Sequence, residues 1–320
     1  MREMALSRSS AMVLPSCWRG YFVPSQRPPR LPSSGISRRA FLPLVGAFLF
    51  CPTRLIVEGR AQQSQTTLLS APLELRGDWG AAPLQAVALV LSRIREACLS
   101  GLTLYSDQQP AKLRVDNRSS GYPAIWLHND PADTAWVIVN IGPADWSKLA
   151  YQFGHELGHV LCNSWSSMSK PQPPSQWLEE SLAEAFSIRG LALLADSWAR
   201  NPPFAGNEAF AGSLRRYRNN LVESYRNAMA PDADIGAWFR TNRSALEGGG
   251  AADKGPAVLH ILAELENDNA CVEDLGAVNR WRSRSGVQIE DYMRLWAASC
   301  AEIQAPGRLP VRLRTLFKLG

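Results

Sequence analysis

Histidine is scarce in this chain, with four residues in 320, so a site built on imidazoles has few places to be. Long apolar runs are missing as well. The apolar-rich stretch that ends at Phe50 is about ten residues long, and a bilayer-spanning helix needs about 20. No internal repeat is present, which excludes solenoids and propellers. A basic run is also absent from the body of the chain. The net charge of +5 and the pI near 9.0 come from the front: residues 1–61 hold nine basic and two acidic side chains (+7), while the other 259 residues hold 25 basic and 27 acidic (−2). A nearly neutral body with no Lys/Arg stripe excludes nucleic acid and an anionic membrane surface as partners. With 46% hydrophobic and 20% charged residues, the body is an ordinary globular chain.

The front reads as an address. Ser37-Arg38-Arg39-Ala40-Phe41-Leu42, followed by apolar residues to Phe50, resembles a twin-arginine export signal. Residues 1–61 are therefore expected to be signal and disordered N-terminus, and the mature protein to be periplasmic or extracellular with no stable membrane insertion. If Cys17 and Cys51 leave with the signal, Cys98, Cys162, Cys271 and Cys300 remain. They can form two bridges in any of three pairings, or stay as buried thiols. Cys271 with Cys300 is the simplest pair, since both fall in the helical C-terminal part.

Residues 62–71 are polar and Gln-rich and read as a linker. Residues 72–144 then mix short strand candidates (73–76, 113–115, 124–127, 135–141) with one helical pattern over 82–99, whose apolar positions are Leu84, Val87, Val90, Leu91, Ile94 and Cys98. From residue 145 strand signals vanish. Helices are expected at 145–163, 175–198, 206–229, 255–267, 272–283 and 288–301. The expected fold class is α+β, a small mixed sheet lobe (72–144) followed by a mainly helical lobe (145–320), with a metal site on the helix between them.

The chemistry concentrates in that helix. His155-Glu156-Leu157-Gly158-His159 places two imidazoles four residues apart, so they project from one face a turn apart and can share one metal ion. Glu156 projects in a neighbouring direction, where a general base can act without occupying a coordination position. A catalytic metal of this kind keeps three protein ligands and one open position. His128 and His260 lie at spacings that do not supply the third. Trp177-Leu178-Glu179-Glu180-Ser181-Leu182-Ala183-Glu184 does, through a carboxylate. Glu180 and Glu184 share a helix face, so that one can bind metal while the other orients a ligand histidine.

His-Glu-Leu-Gly-His followed by Trp-Leu-Glu-Glu-Ser-Leu-Ala resembles the gluzincin metallopeptidases, the group of thermolysin and aminopeptidase N. The resemblance implies one zinc ion held by His155, His159 and Glu180, Glu156 as general base, Glu184 as an acidic support, and a peptide or protein substrate. It leaves Glu179 as the second candidate for that ligand position, or as a solvated or capping residue. It also implies that the strand Val137–Gly142 lines the cleft and pairs with an extended substrate. Asp253-Lys254-Gly255-Pro256-Ala257-Val258-Leu259 is similar to an aminopeptidase segment whose tyrosine donates to the oxyanion, but Ala252 stands at that position here, and the Gly-x-Met-Glu-Asn segment is absent. Tyr151, Tyr217, Tyr225 and His260 are the candidates to replace the donor. The alternative expectation is a zinc-binding pseudopeptidase acting as a scaffold or interaction module.

Overall fold

The computed structural model describes residues 67–320 except 104, 120, 129, 143–144, 167–171, 228–233, 250–252 and 285. The export signal and Ala252 lie outside the described residues. The first described element is a helical turn, α1 (Thr67–Ser70), which buries Leu68 completely. The body thus begins inside the segment expected to be linker.

Four strands follow: β1 (Leu73–Gly77), β2 (Lys112–Asn117), β3 (Ala124–Ile125) and β4 (Thr134–Val139). Their order in the sheet is β1-β2-β4-β3, with β1, β2 and β4 parallel and β3 antiparallel to β4. The period-2 alternation sends Leu113, Val115, Ala135, Val137 and Val139 to full burial. On the other face the Arg114 guanidinium lies 4.6 Å above the Trp136 ring. β4 carries a partner on each side, so it is an interior strand and not the edge that pairing with a substrate requires. The edge next to it is β3. The short antiparallel strand takes that place because the Asp-Pro-rich turn before β4 reverses the chain.

The helix α2 (Leu84–Cys98) crosses between β1 and β2 and buries Val87, Val90, Leu91, Ile94 and Cys98 of the expected stripe, while Leu84, in its first turn, is 53% exposed. After β4 the chain is helical throughout the described residues: α3 (Trp146–Leu161), α4 (Gln176–Arg200), α5 (Phe210–Asn227), α6 (Ile235–Glu247), α7 (Gly255–Asn267), α8 (Asn269–Glu273), α9 (Ile289–Ile303) and α10 (Arg308–Leu316). The helix expected over 272–283 is instead the end of α8 and a 3-10 turn, Asp274–Ala277. Asn279, at φ 61°, turns the chain away there. α6 and α10 were not anticipated. α10 starts at Gly307 in the left-handed region and carries Pro310 in its first turn, where a missing N–H costs nothing.

α3 and α4 are the closest-packed helix pair. A Cβ at Gly158 would sit 2.9 Å from the Cα of Ala183, and one at Gly154 would sit 3.0 Å from Ser187 Oγ. The absence of side chains at these two positions lets the helix axes approach. α2 closes against both, with the Cys98 thiol beside Gly154 and Gly190. Farther out, Trp177, Phe239 and Phe317 stack at centroid distances of 5.5–5.6 Å and join α4, α6 and the C-terminal end. Each such aromatic contact is worth about 0.5–1.5 kcal/mol beyond its buried area. Cys98, Cys162, Cys271 and Cys300 are buried free thiols. The Cys271–Cys300 bridge is not formed. Burial in the apolar core holds these side chains without a covalent link, and Cys300 Sγ faces the Asp274 carboxylate, 3.8 Å away.

Candidate metal centre

α3 starts cleanly because the Asp145 side chain accepts the Lys148 backbone N–H at 3.2 Å. Three turns later the helix is buried on every side: His155 is 8% exposed, Glu156 3% and His159 2%. The close α3–α4 packing brings the first turns of α4 onto these residues. His155 Nε2 and His159 Nε2 lie 3.2 Å apart, and Glu180 Oε2 lies 3.6 Å from the first and 3.8 Å from the second. The atoms of a tetrahedral centre with bonds of about 2.0–2.1 Å are about 3.3–3.4 Å apart, so this triangle has the size a divalent metal needs. His155, His159 and Glu180 can hold a metal ion.

The other ring nitrogens are already committed. His155 Nδ1 lies 3.0 Å from Glu184 Oε2, and His159 Nδ1 lies 2.8 Å from Glu179 Oε1. A carboxylate on Nδ1 fixes the tautomer with the proton there and directs the Nε2 lone pair at the metal position. Glu184 thus lies where a carboxylate supporting His155 would stand. Glu179 lies elsewhere than expected: it is 2% exposed, neither solvated nor capping, and contacts His159 as Glu184 contacts His155. Glu184 in turn accepts the hydroxyls of Tyr151 (2.9 Å to each oxygen) and Tyr225 (2.7 Å).

The field of this cluster follows from its charges. Burial disfavours a charged imidazole, yet the carboxylates outweigh it: His155 is held at about 9 by Glu180 and Glu184, and His159 well above the usual histidine range by Glu180 and Glu179. Burial works against the Glu180 anion, but His159 and His155 overcome it and keep the carboxyl well below its ordinary range. Glu156 behaves in the opposite way. Burial pushes its carboxyl up to about 7, against the pull of His155 and His159.

Comparison with protein-family models, with curated proteins and with solved structures found no match to this chain. The case for the site therefore rests on its own geometry.

The other residues singled out by sequence are placed as follows. Tyr151 and Tyr225 reach the site, but through Glu184. Tyr217 packs on the Tyr151 ring at 5.8 Å. His260 is half-buried on α7, where desolvation lowers its pKa against the pull of Glu264. His128 packs edge-on against Trp136. Two contributors escaped sequence reasoning: Glu179, although adjacent to the chosen ligand, and Asn279, whose amide donates to Glu179 from 100 residues away at 2.8 Å. The Glu179-Glu180 pair was a visible signal for the first. No local signal marks the second.

Proposed function

We propose that the chain is a zinc-dependent hydrolase of peptide bonds, of gluzincin type, with a peptide or protein as substrate. The observation that carries this reading is the triangle of His155, His159 and Glu180 with the buried Glu156 beside it. His155, His159 and Glu180 would hold one zinc ion: two neutral imidazoles and one anionic carboxylate suit that metal's borderline character. Bound zinc supplies a Lewis acid that polarises a carbonyl and acidifies water. Glu156 accepts the proton of the attacking water and passes it to the departing amine nitrogen. Glu184 and Glu179 keep both rings in the Nδ1–H tautomer throughout. β3, the edge strand beside β4, offers backbone groups to which an extended peptide can add as a further strand.

Glu156→Gln is expected to retain zinc and lose about 100- to 10,000-fold in hydrolysis of a peptide library, the range of general acid–base effects. Equal, residual cleavage by both forms would remove the enzyme reading. A second reading, a zinc-binding pseudopeptidase used as a scaffold, is supported by one observation: the hydroxyls of Tyr151 and Tyr225 are spent on Glu184, and Ala252 supplies no donor to an oxyanion. Purified protein with no zinc at any stoichiometry would overturn both. Export through Arg38-Arg39 belongs to the same proposal. Unchanged export of the Arg38→Lys, Arg39→Lys double variant would count against it.

A further inference from the structure

Asn279 stands at the centre of a buried polar network that no other part of the site requires. It is 2% exposed and held in the left-handed region at φ 61°. Asn tolerates that conformation better than most side chains. Its carbonyl accepts Arg284 Nη2 at 2.7 Å, and the same guanidinium reaches the Asn163 carbonyl at 3.1 Å and, through Nη1, Ser164 Oγ at 2.9 Å. The backbone at 279 is thereby fixed before its side chain does anything.

The side-chain amide has only one workable orientation. Nδ2 faces Glu179 Oε2 at 2.8 Å, Ser164 Oγ at 3.1 Å and the Cys162 carbonyl at 3.2 Å, and Oδ1 accepts the Tyr292 hydroxyl at 2.8 Å. Turned over, the amide oxygen would meet a carboxylate and a carbonyl, two acceptors with no proton to share. The donor sense therefore runs one way, from Tyr292 O–H to Asn279 Oδ1, and from Asn279 N–H to Glu179 Oε2. Glu179 Oε1 is then the acceptor for His159 Nδ1–H.

We propose that Asn279, oriented by Tyr292, is a positioning residue of the metal centre: it anchors the Glu179 carboxylate so that His159 presents Nε2 to the metal. This rests on the metal-site reading above and adds that the centre is complete only when the segment after the 3-10 turn and α9 are docked on α3 and α4. The choice of Asn has a chemical reason. Asp at this position has the same shape and tolerates the same backbone, but it replaces a donor with an anion facing Glu179.

The test is zinc affinity of the full chain, measured by competition with a chromophoric chelator, together with the thermal midpoint of each protein. Asn279→Asp is expected to weaken zinc binding about 10- to 100-fold, the range for groups that support a metal ligand. Tyr292→Phe, which keeps the ring against Trp281, should weaken it by less, and carries the test alone if the first variant does not fold. Asn117→Asp is the control. Asn117 is likewise buried, but its amide donates to the Asp78 and Ile141 carbonyls beside the sheet and not to Glu179. It should lose stability and keep zinc affinity within about twofold. Affinity unchanged in both Asn279→Asp and Tyr292→Phe, or lost equally in Asn117→Asp, overturns the inference while leaving the metal site intact. Absence of zinc binding by the unaltered protein overturns the metal-site reading itself, and this inference with it.

Discussion

The two halves of the candidate metal centre meet one requirement with different constructions. On the His155 side, Glu184 receives three donors: the imidazole, Tyr151 from α3 and Tyr225 from α5. All of them come from helices packed directly on the ligand helices. On the His159 side, Glu179 receives the imidazole and an amide from a loop far along the chain. The first half is redundant and local. The second hangs on a single distant contact in a drier place, since His159 is 2% exposed against 8% for His155. A buried carboxylate with few donors is the more fragile arrangement, because each donor lost leaves a larger share of its charge uncompensated.

Glu179→Gln should expose that difference most. The new amide can still accept from His159 with its oxygen, but its NH2 then confronts the NH2 of Asn279. Zinc affinity is expected to fall about 10- to 100-fold, read by chelator competition; an affinity equal to that of the unaltered chain would mean that the two halves are equally robust. Gly158→Ala strikes both halves at once by forcing α3 and α4 apart where a Cβ has 2.9 Å to Ala183 Cα. Overpacking of this kind costs about 1–3 kcal/mol, set against the gain of up to about 1 kcal/mol that Ala brings to a helix interior. Urea unfolding should show net destabilisation, and a stabilised variant would refute the tight contact. Tyr225→Phe should do least. Glu184 keeps Tyr151 and His155, so a loss of about 0.5–1.5 kcal/mol in stability and only a few-fold change in zinc affinity are expected. A drop as large as that of Glu179→Gln would erase the contrast between the halves.

Sequence periodicity located what is amphipathic and missed what is not. α2 and the metal helix α3 were legible from the spacing of Val87, Val90, Leu91 and Ile94 and from the pair His155 and His159. The four strands were legible from alternation, but their order was not, since nothing in a six-residue strand states which neighbour it takes. Glu179 was misjudged for a physical reason. The start of α4 is buried nearly all round, with Trp177, Leu178, Glu179, Ser181, Leu182, Ala183 and Glu184 all inside, so a polar face and an apolar face cannot be separated by their 3.6-residue period. Two adjacent glutamates then serve two imidazoles, one at the metal and one behind it. Asn279 could not be found from sequence. Its role depends on a left-handed residue in a loop meeting a helix 100 positions earlier, which is a property of the tertiary arrangement alone. The helix expected over 272–283 failed just before that residue: a 3-10 turn replaces the α-helix from Asp274, Val278 is extended, and Asn279 then takes the left-handed turn.

The four cysteines among the described residues have a consequence for measuring motion. Burial raises the Cys98 and Cys271 thiols to about 12 and the Cys162 thiol well above its usual value, which disfavours the thiolate, the species that alkylates. Each sulfur becomes reactive only when its surroundings open. Cys98, the last residue of α2, packs its thiol against Gly154 of α3 and Gly190 of α4, and the Cys162 carbonyl is one of the acceptors of the Asn279 amide. The chain thus carries built-in timers at separate depths: the alkylation rate of Cys162 clocks the opening of the His159 side, and that of Cys98 clocks the separation of the helices behind the sheet.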